Sequence, residues 1–290
     1  MAKLLFKTGF GGDVSVDPFL PGDVTQQKVR YMQGSDVPTY DFDMQFRGGN
    51  GSIPNGFGST QPAPVDIANY FDASIETVTG HLGNQTKTLK HELLQQGGGA
   101  DQSTQTWYEM RNNTGDKLLA DGDLYCTYWM KQPATLESDM GPNNFNHVFE
   151  WKSSTTDYRI VASIYTQTVG NGGELIWSCV IDGPNSSPSS GPYYYEYSPV
   201  PPIAGDWFKV EAFYHRSEGL DGRFYFAVNG SALFDTKISR YGSNGSTINR
   251  LFLWGLYSAP VASYPMQKWI DDVEIWDGFP NGTPAYVSTP

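Results

Sequence analysis

Residues 206–230 read DWFKVEAFYHRSEGLDGRFYFAVNG, and this stretch decides the fold. Within it Phe208, Val210, Ala212 and Tyr214 alternate with Lys209, Glu211 and His215, the period-two pattern of a strand buried on one face. Phe213 alone interrupts the polar side. Residues 217–222 supply a turn in which Gly222, after Asp221, accepts positive φ without steric cost. Residues 223–228 return as a second aromatic strand that Asn229-Gly230 ends. A sheet with one apolar face must bury it against another layer, so the hairpin predicts a layered all-β domain.

The whole chain agrees with that layer. Its 290 residues are long enough to bury roughly three quarters of the unfolded surface. Thirty-two glycines, 19 prolines and 14% aromatic residues, with few runs of helical periodicity, favour many short strands joined by turns. The net charge of −12 lacks the basic footprint that nucleic acid needs. An anionic ligand stays open, because exposed charges are screened beyond about 8–10 Å and a local basic cluster can oppose the global charge. No stretch has the 18 or so apolar residues of a membrane helix. Residues 1–10 do not read as a signal peptide, and the expected location is extracellular or released, by a removed leader, another route or lysis.

In chain order, residues 3–10 read as a first strand and 21–64 as a long irregular segment wrapping the sandwich. Residues 70–78 read as the best short helix candidate, or else a strand, and residues 86–95 are similarly ambiguous. TWYEMR at 106–111 opens a denser region, followed by strands near 124–131, 145–152, 158–167 and 175–182. Residues 249–257 and 267–276 add two more. The expectation is one domain over 1–282, with 283–290 as a flexible tail, acting as a monomer. Cys126 and Cys179 both fall in strands and read as buried thiols or as a disulfide.

WYEMR, FEWK, VPPIAGDWFKVEAFYHR, DGRFYFAVNG and KWIDDVEIWDGFP, spread over about 107–277, together resemble the concanavalin A-like jelly-roll proteins. The resemblance is especially to the polysaccharide lyases of heparin-lyase and alginate-lyase type. It implies a β-sandwich of two curved antiparallel sheets, a concave groove for an acidic polysaccharide, and β-elimination without a cofactor. WYEMR is similar to that family's Ser-Glu-Leu-Arg strand, which implies that Arg111 faces the groove. Glu150 and Lys152 depart from the family's Gln and His.

Elimination at a uronate requires donors that neutralise the carboxylate, a base for the C5 proton and an acid for the leaving oxygen. Arg111 suits the first task because a guanidinium meets a carboxylate bidentately, with Lys152 or Arg159 assisting. Cross-strand salt bridges account for all three equally well. Tyr165 shares a strand face with Arg159 and Gln167, opposite Ile160, Ala162 and Ile164, and is a base and acid candidate. His147 alternates in phase with Phe145, Phe149 and Trp151, which reads as a core or rim histidine, although it stays a catalytic candidate. His215 lies on the polar side of the anchoring hairpin, and His91 could reach a groove from a covering loop. Glu109, Glu150, Arg159, Gln167, His215 and Tyr195 complete the expected substrate contacts.

Two other functions fit the same residues. Glu109 and Glu150, read as lying on neighbouring strands, could form the carboxylate pair of a glycoside hydrolase. Trp107, Trp129, Trp151, Trp177 and the tyrosines at 193–197 could offer stacking platforms in a binding module that catalyses nothing. In WIDDVEIW, one of Asp271 and Asp272 must point to each side of its strand. The resemblance implies a structural calcium where the terminal strands meet, with Asp272 and Asp13 as ligands; hydrogen bonding to loop amides is the simpler alternative.

Overall fold

The computed structural model describes residues 2–12, 14–16, 28–33, 43–48, 71–94, 106–111, 123–142, 144–153, 159–167, 174–182, 194–198, 200–215, 217, 221–238, 248–252 and 263–286. These form an all-β sandwich of two antiparallel sheets. Numbered in chain order, the first sheet runs β15 (Ser231–Ile238), β14 (Gly222–Val228), β13 (Trp207–His215), β8 (Asp123–Lys131), β17 (Met266–Trp276), β6 (Gln85–Leu93) and β5 (Phe71–Thr79). Its eighth strand, β1 (Leu4–Thr8), also pairs with β17. The nine-stranded sheet runs β12 (Tyr194–Ser198), β11 (Glu174–Asp182), β10 (Arg159–Gln167), β9 (Phe145–Ser153), β16 (Ile248–Phe252), β7 (Thr106–Arg111), β4 (Asp43–Gly48), β3 (Lys28–Gln33) and β2 (Ser15–Val16).

The anchoring hairpin is β13–β14, with Val210 opposite Val228 and His215 opposite Arg223. Phe208, Val210, Ala212 and Tyr214 point into the core, as the alternation predicts. Phe213, the exception, packs on the outer face against Phe279 from the C-terminal segment, at 4.7 Å. Asn229 and Gly230 both take positive φ, the requirement of the tight two-residue turn that carries β14 into β15. The two ambiguous segments are strands β5 and β6; pairing with β17 across nearly 180 residues overrides local propensity there. The only helix among the described residues is one short turn, Leu136–Met140.

The core is an aromatic layer between the sheets. Trp151 lies 6.0 Å from Tyr214, Trp177 5.9 Å from Phe208, and Phe149 6.0 Å from Phe224, and each ring pair spans the two sheets. Each such ring buries on the order of 150–250 Å², so these contacts dominate the cohesion of the sandwich. Trp151 and Trp177 are therefore core side chains and no sugar platform. Cys126 and Cys179 are free buried thiols on opposite sheets, with burial pushing both well up. Arg223 makes a buried bidentate pair with Asp235, at 2.7 and 2.8 Å, and donates to the carbonyls of Pro284 and Ala285. That guanidinium holds the chain on the outer face as far as Ala285.

Candidate active site

The face of the nine-stranded sheet turned away from the core is organised by a bulge in β9. Ala162 of β10 pairs with Phe149, but the next pair is Ser163 with His147, so Val148 is an extra residue. Val148 and Phe149 both enter the core. The alternation thereby changes phase, and His147 joins Glu150 on the opposite face. His147 Nδ1 lies 3.2 Å from Glu150 Oε2, and both side chains are buried. The sequence phase that grouped His147 with Phe149 and Trp151 is thus corrected.

A bulge leaves backbone carbonyls out of the ladder, and a buried carbonyl needs a donor. Here the opposite sheet supplies them. Tyr128 Oη donates to the Val148 carbonyl at 2.7 Å. Lys268 Nζ, on β17, donates to the His147 carbonyl at 2.6 Å and to Asn146 Oδ1 at 2.7 Å. Lys268 is buried, and burial pulls its ammonium down to about 7. His91 faces Lys268 across the β6–β17 ladder, and burial with the adjacent ammonium lowers it to about 3. His91 is a core residue, which removes it from the groove.

On β10, Ile160, Ala162 and Ile164 enter the core, while Tyr165 lies half-buried on the other face, its ring 6.0 Å from that of exposed Tyr197 on β12. Phe145, opposite Tyr165, has its ring 5.1 Å from His147. Ser163 and Ser178, buried beside them, floor this end of the face with small side chains. The structure therefore groups His147, Glu150 and Tyr165.

The remaining expected residues are located by backbone register. Arg159 pairs with Lys152, and Lys152 with Arg250 of β16. Three cationic residues thus occupy one cross-strand row, ended by Asp182 opposite Arg159. Glu109 pairs with Gln45, Arg111 with Asp43, Tyr195 with Val180 and Gln167 with Glu174. β16 lies between β7 and β9, which corrects the reading of Glu109 and Glu150 as residues of neighbouring strands. His215 sits on the other sheet, with Nδ1 2.5 Å from Asp123 Oδ1, apart from this cluster. Trp129 is also on that sheet, beneath the ring of His81. The side chain of Trp107 and the whole of Asp13 lie outside the described residues.

Sequence reasoning missed Arg250, because only the non-local insertion of β16 beside β9 brings it opposite Lys152. It also missed His81, which meets Asp271 and Asp272 on the outer face of the eight-stranded sheet.

No protein-family model and no curated protein matches the sequence. Among solved structures, the alginate lyase Aly36B in complex with alginate tetrasaccharide has a TM-score of 0.45 and 12% identity, over 65% of this chain and 80% of that one. The endo-β-1,4-glucuronan lyase from the fungus Trichoderma reesei gives 0.46 and 11%, over 70% and 86%. The binding domain of botulinum neurotoxin serotype D/C gives 0.40 and 10%, over 73% and 46%. At these TM-scores and identities the likeness selects no chemistry.

Proposed function

We propose that this protein cleaves an acidic, uronate-containing polysaccharide by β-elimination on the outward face of the nine-stranded sheet. The observation that carries the reading is the row Arg250, Lys152, Arg159 in a chain of net charge −12. Like charges directly opposite one another in a sheet are destabilising, and an anionic ligand crossing the strands would offset that repulsion. This row and Arg111 neutralise the uronate carboxylate, which acidifies the neighbouring C5 proton.

His147 is the base. With Nδ1–H donated to Glu150, its basic nitrogen is Nε2. As the C5–H bond breaks, a C4–C5 double bond forms, the C4–O4 bond opens, and O4 takes a proton. Tyr165, diagonal to His147 across β9–β10, supplies that proton. The Glu150 carboxylate, committed to His147, orients the base and has no part in a hydrolytic pair with Glu109. No cofactor enters this chemistry, and a polymer substrate sets the work outside the producing cell.

Absorbance near 235 nm, followed during incubation with alginate, glucuronan, heparin, hyaluronan and pectate, tests the reading. The expected result is a rise on at least one of these and none on laminarin or cellulose. Arg111→Ala should then lower turnover by about 10²–10³-fold. No rise on any acidic glycan sinks the proposal. Retardation in a glycan-containing gel without a rise would leave carbohydrate binding, a reading that the adjacent rings of Tyr165 and exposed Tyr197 favour.

A further inference from the structure

A second polar cluster lies on the outer face of the other sheet. Along one edge, β17 changes partner from β6, with Ile270 opposite Leu89, to β1, with Val273 opposite Thr8. Between these pairs the register with β8 slips, and Asp272 adopts φ +45°. Asp271 Oδ1 accepts the Asp272 N–H at 2.9 Å, which turns Oδ2 toward the β5–β6 turn. There His81 waits. Its Nδ1 is 4.0 Å from Asp271 Oδ2, its Nε2 is 3.5 Å from Asp272 Oδ2, and one donor atom from each residue falls within 4.8 Å of the others.

The imidazole is held in this position. It stacks on Trp129 at 4.1 Å with only 10° between the planes. Its side chain is 9% exposed, and Nδ1 has no hydrogen-bond partner among the described residues. A buried polar atom normally finds a partner, and Asp271 stands too far away to be one. One carboxylate beside each ring nitrogen, with Nδ1 unsatisfied and one donor atom of each residue within 4.8 Å of the others, forms a donor set that wants a cation.

We propose that His81, Asp271 and Asp272 bind a borderline first-row divalent cation of the zinc and cobalt class, which clamps the β5–β6 turn to β17. The donor chemistry distinguishes this from the calcium expected of the sequence. Calcium collects six to eight oxygens, whereas an imidazole with two carboxylates suits zinc, cobalt or nickel. Metal–ligand bonds of about 2.0–2.2 Å set neighbouring donors about 3.3 Å apart in a tetrahedron, so carboxylate rotation and a small contraction complete the site. Trp129 fixes the ring plane, as outer-shell partners of metal-bound histidines do. Asp272, 49% exposed, leaves an entry path and room for water as a further ligand.

The test uses the full chain stripped with chelator and titrated with Zn²⁺, Co²⁺ or Ca²⁺. One equivalent of Zn²⁺ or Co²⁺ should bind, Co²⁺ with a visible d–d band. At 100-fold excess over Kd, Zn²⁺ should raise Tm by roughly 4–8 °C, and Ca²⁺ should leave it unchanged. His81→Phe keeps the stacking on Trp129 and should abolish the shift. Asp272→Asn, tolerated at positive φ, should weaken binding at least tenfold. Absence of Zn²⁺ and Co²⁺ binding, binding undiminished in His81→Phe, or equal stabilisation by Ca²⁺ would each overturn the assignment. The site is independent of the lyase reading, because it lies on the opposite sheet and none of its residues enters the elimination.

Discussion

β9 and β17 each carry one bulge, on opposite sheets, and the two are braced in different ways. In β9 the inserted residue is apolar Val148, and the freed carbonyls of residues 147 and 148 accept bonds from Lys268 and Tyr128 across the core. In β17 the kink falls on exposed Asp272, and the brace is local, from the Asp271 carboxylate to the next backbone N–H. The β9 bulge brings His147 onto the face of Glu150, and the β17 bulge brings Asp271 and Asp272 toward His81 of the β5–β6 turn, as bulges re-aim side chains next to functional sites. The β9 geometry is tied to the packing of the whole sandwich, whereas the β17 geometry depends on two residues and a turn.

The largest effect should come from the chemistry that the braced bulge presents. His147→Gln retains a donor for Glu150 but removes the basic nitrogen. Turnover of the true substrate should fall by roughly 10²–10⁴-fold with KM little changed, and the acidic limb of the kcat/KM profile should disappear. An unaltered pH profile in this variant would show that the bulge positions a side chain the reaction does not use.

Next comes the brace itself, tested by pH. The folded state keeps His91 neutral down to about 3, whereas the unfolded chain protonates it at 6.5. Folded-state depression means that the stability is present above pH 6.5 and is lost as pH falls toward 3. A gap of this size is worth on the order of 5 kcal/mol. His91→Phe should flatten the slope of unfolding free energy between pH 4 and 6, measured by urea titration at each pH. Lys268 acts in a higher window. Its folded value near 7 lies below the ordinary 10.5, so stability should go on rising from pH 7 toward 10. A pH-independent midpoint in the parent protein would mean that neither group is as deeply placed between the two bulged strands as described.

These bulges also mark how far the sequence could be read. The β13–β14 hairpin was legible because its alternation is unbroken and Asn229-Gly230 is a local turn signal. Tyr165 was legible for the same reason, since β10 sends Ile160, Ala162 and Ile164 into the core with unbroken alternation, the extra residue lying in β9. His147 was not. Nothing in FNHVFEWK, with neither glycine nor proline, announces that Val148 is supernumerary; only the pairing with β10 reveals it. The cationic row was half legible, because Lys152 and Arg159 belong to consecutive strands but Arg250 arrives opposite Lys152 from 98 residues further along the chain. The strands β5 and β6 were ambiguous locally and became strands only through the ladder to β17. His81 lay in a short turn with no periodicity to read.

The smallest effect concerns the locally braced bulge, and it separates backbone from ligand. Asp272 is a non-glycine residue at φ +45°, a region where Asp, Asn and Gly are tolerated and β-branched residues are not. In chelator, where no metal contributes, Asp272→Asn and Asp272→Gly should stay within about 0.5 kcal/mol of the parent, because neither strains the turn in the strand. Asp272→Val should cost about 1–2 kcal/mol, read as a lower urea midpoint with unchanged slope. That ordering follows from conformation alone, since the Asp272 side chain is half exposed and covers no core. If Asn and Val proved equally harmless, the kink would not be held at positive φ, and β17 would carry a soft irregularity in place of a defined bulge. If Asn proved as harmful as Val even in chelator, the carboxylate itself would stabilise the fold through His81, and the pairing at 3.5 Å would be an ion pair in its own right.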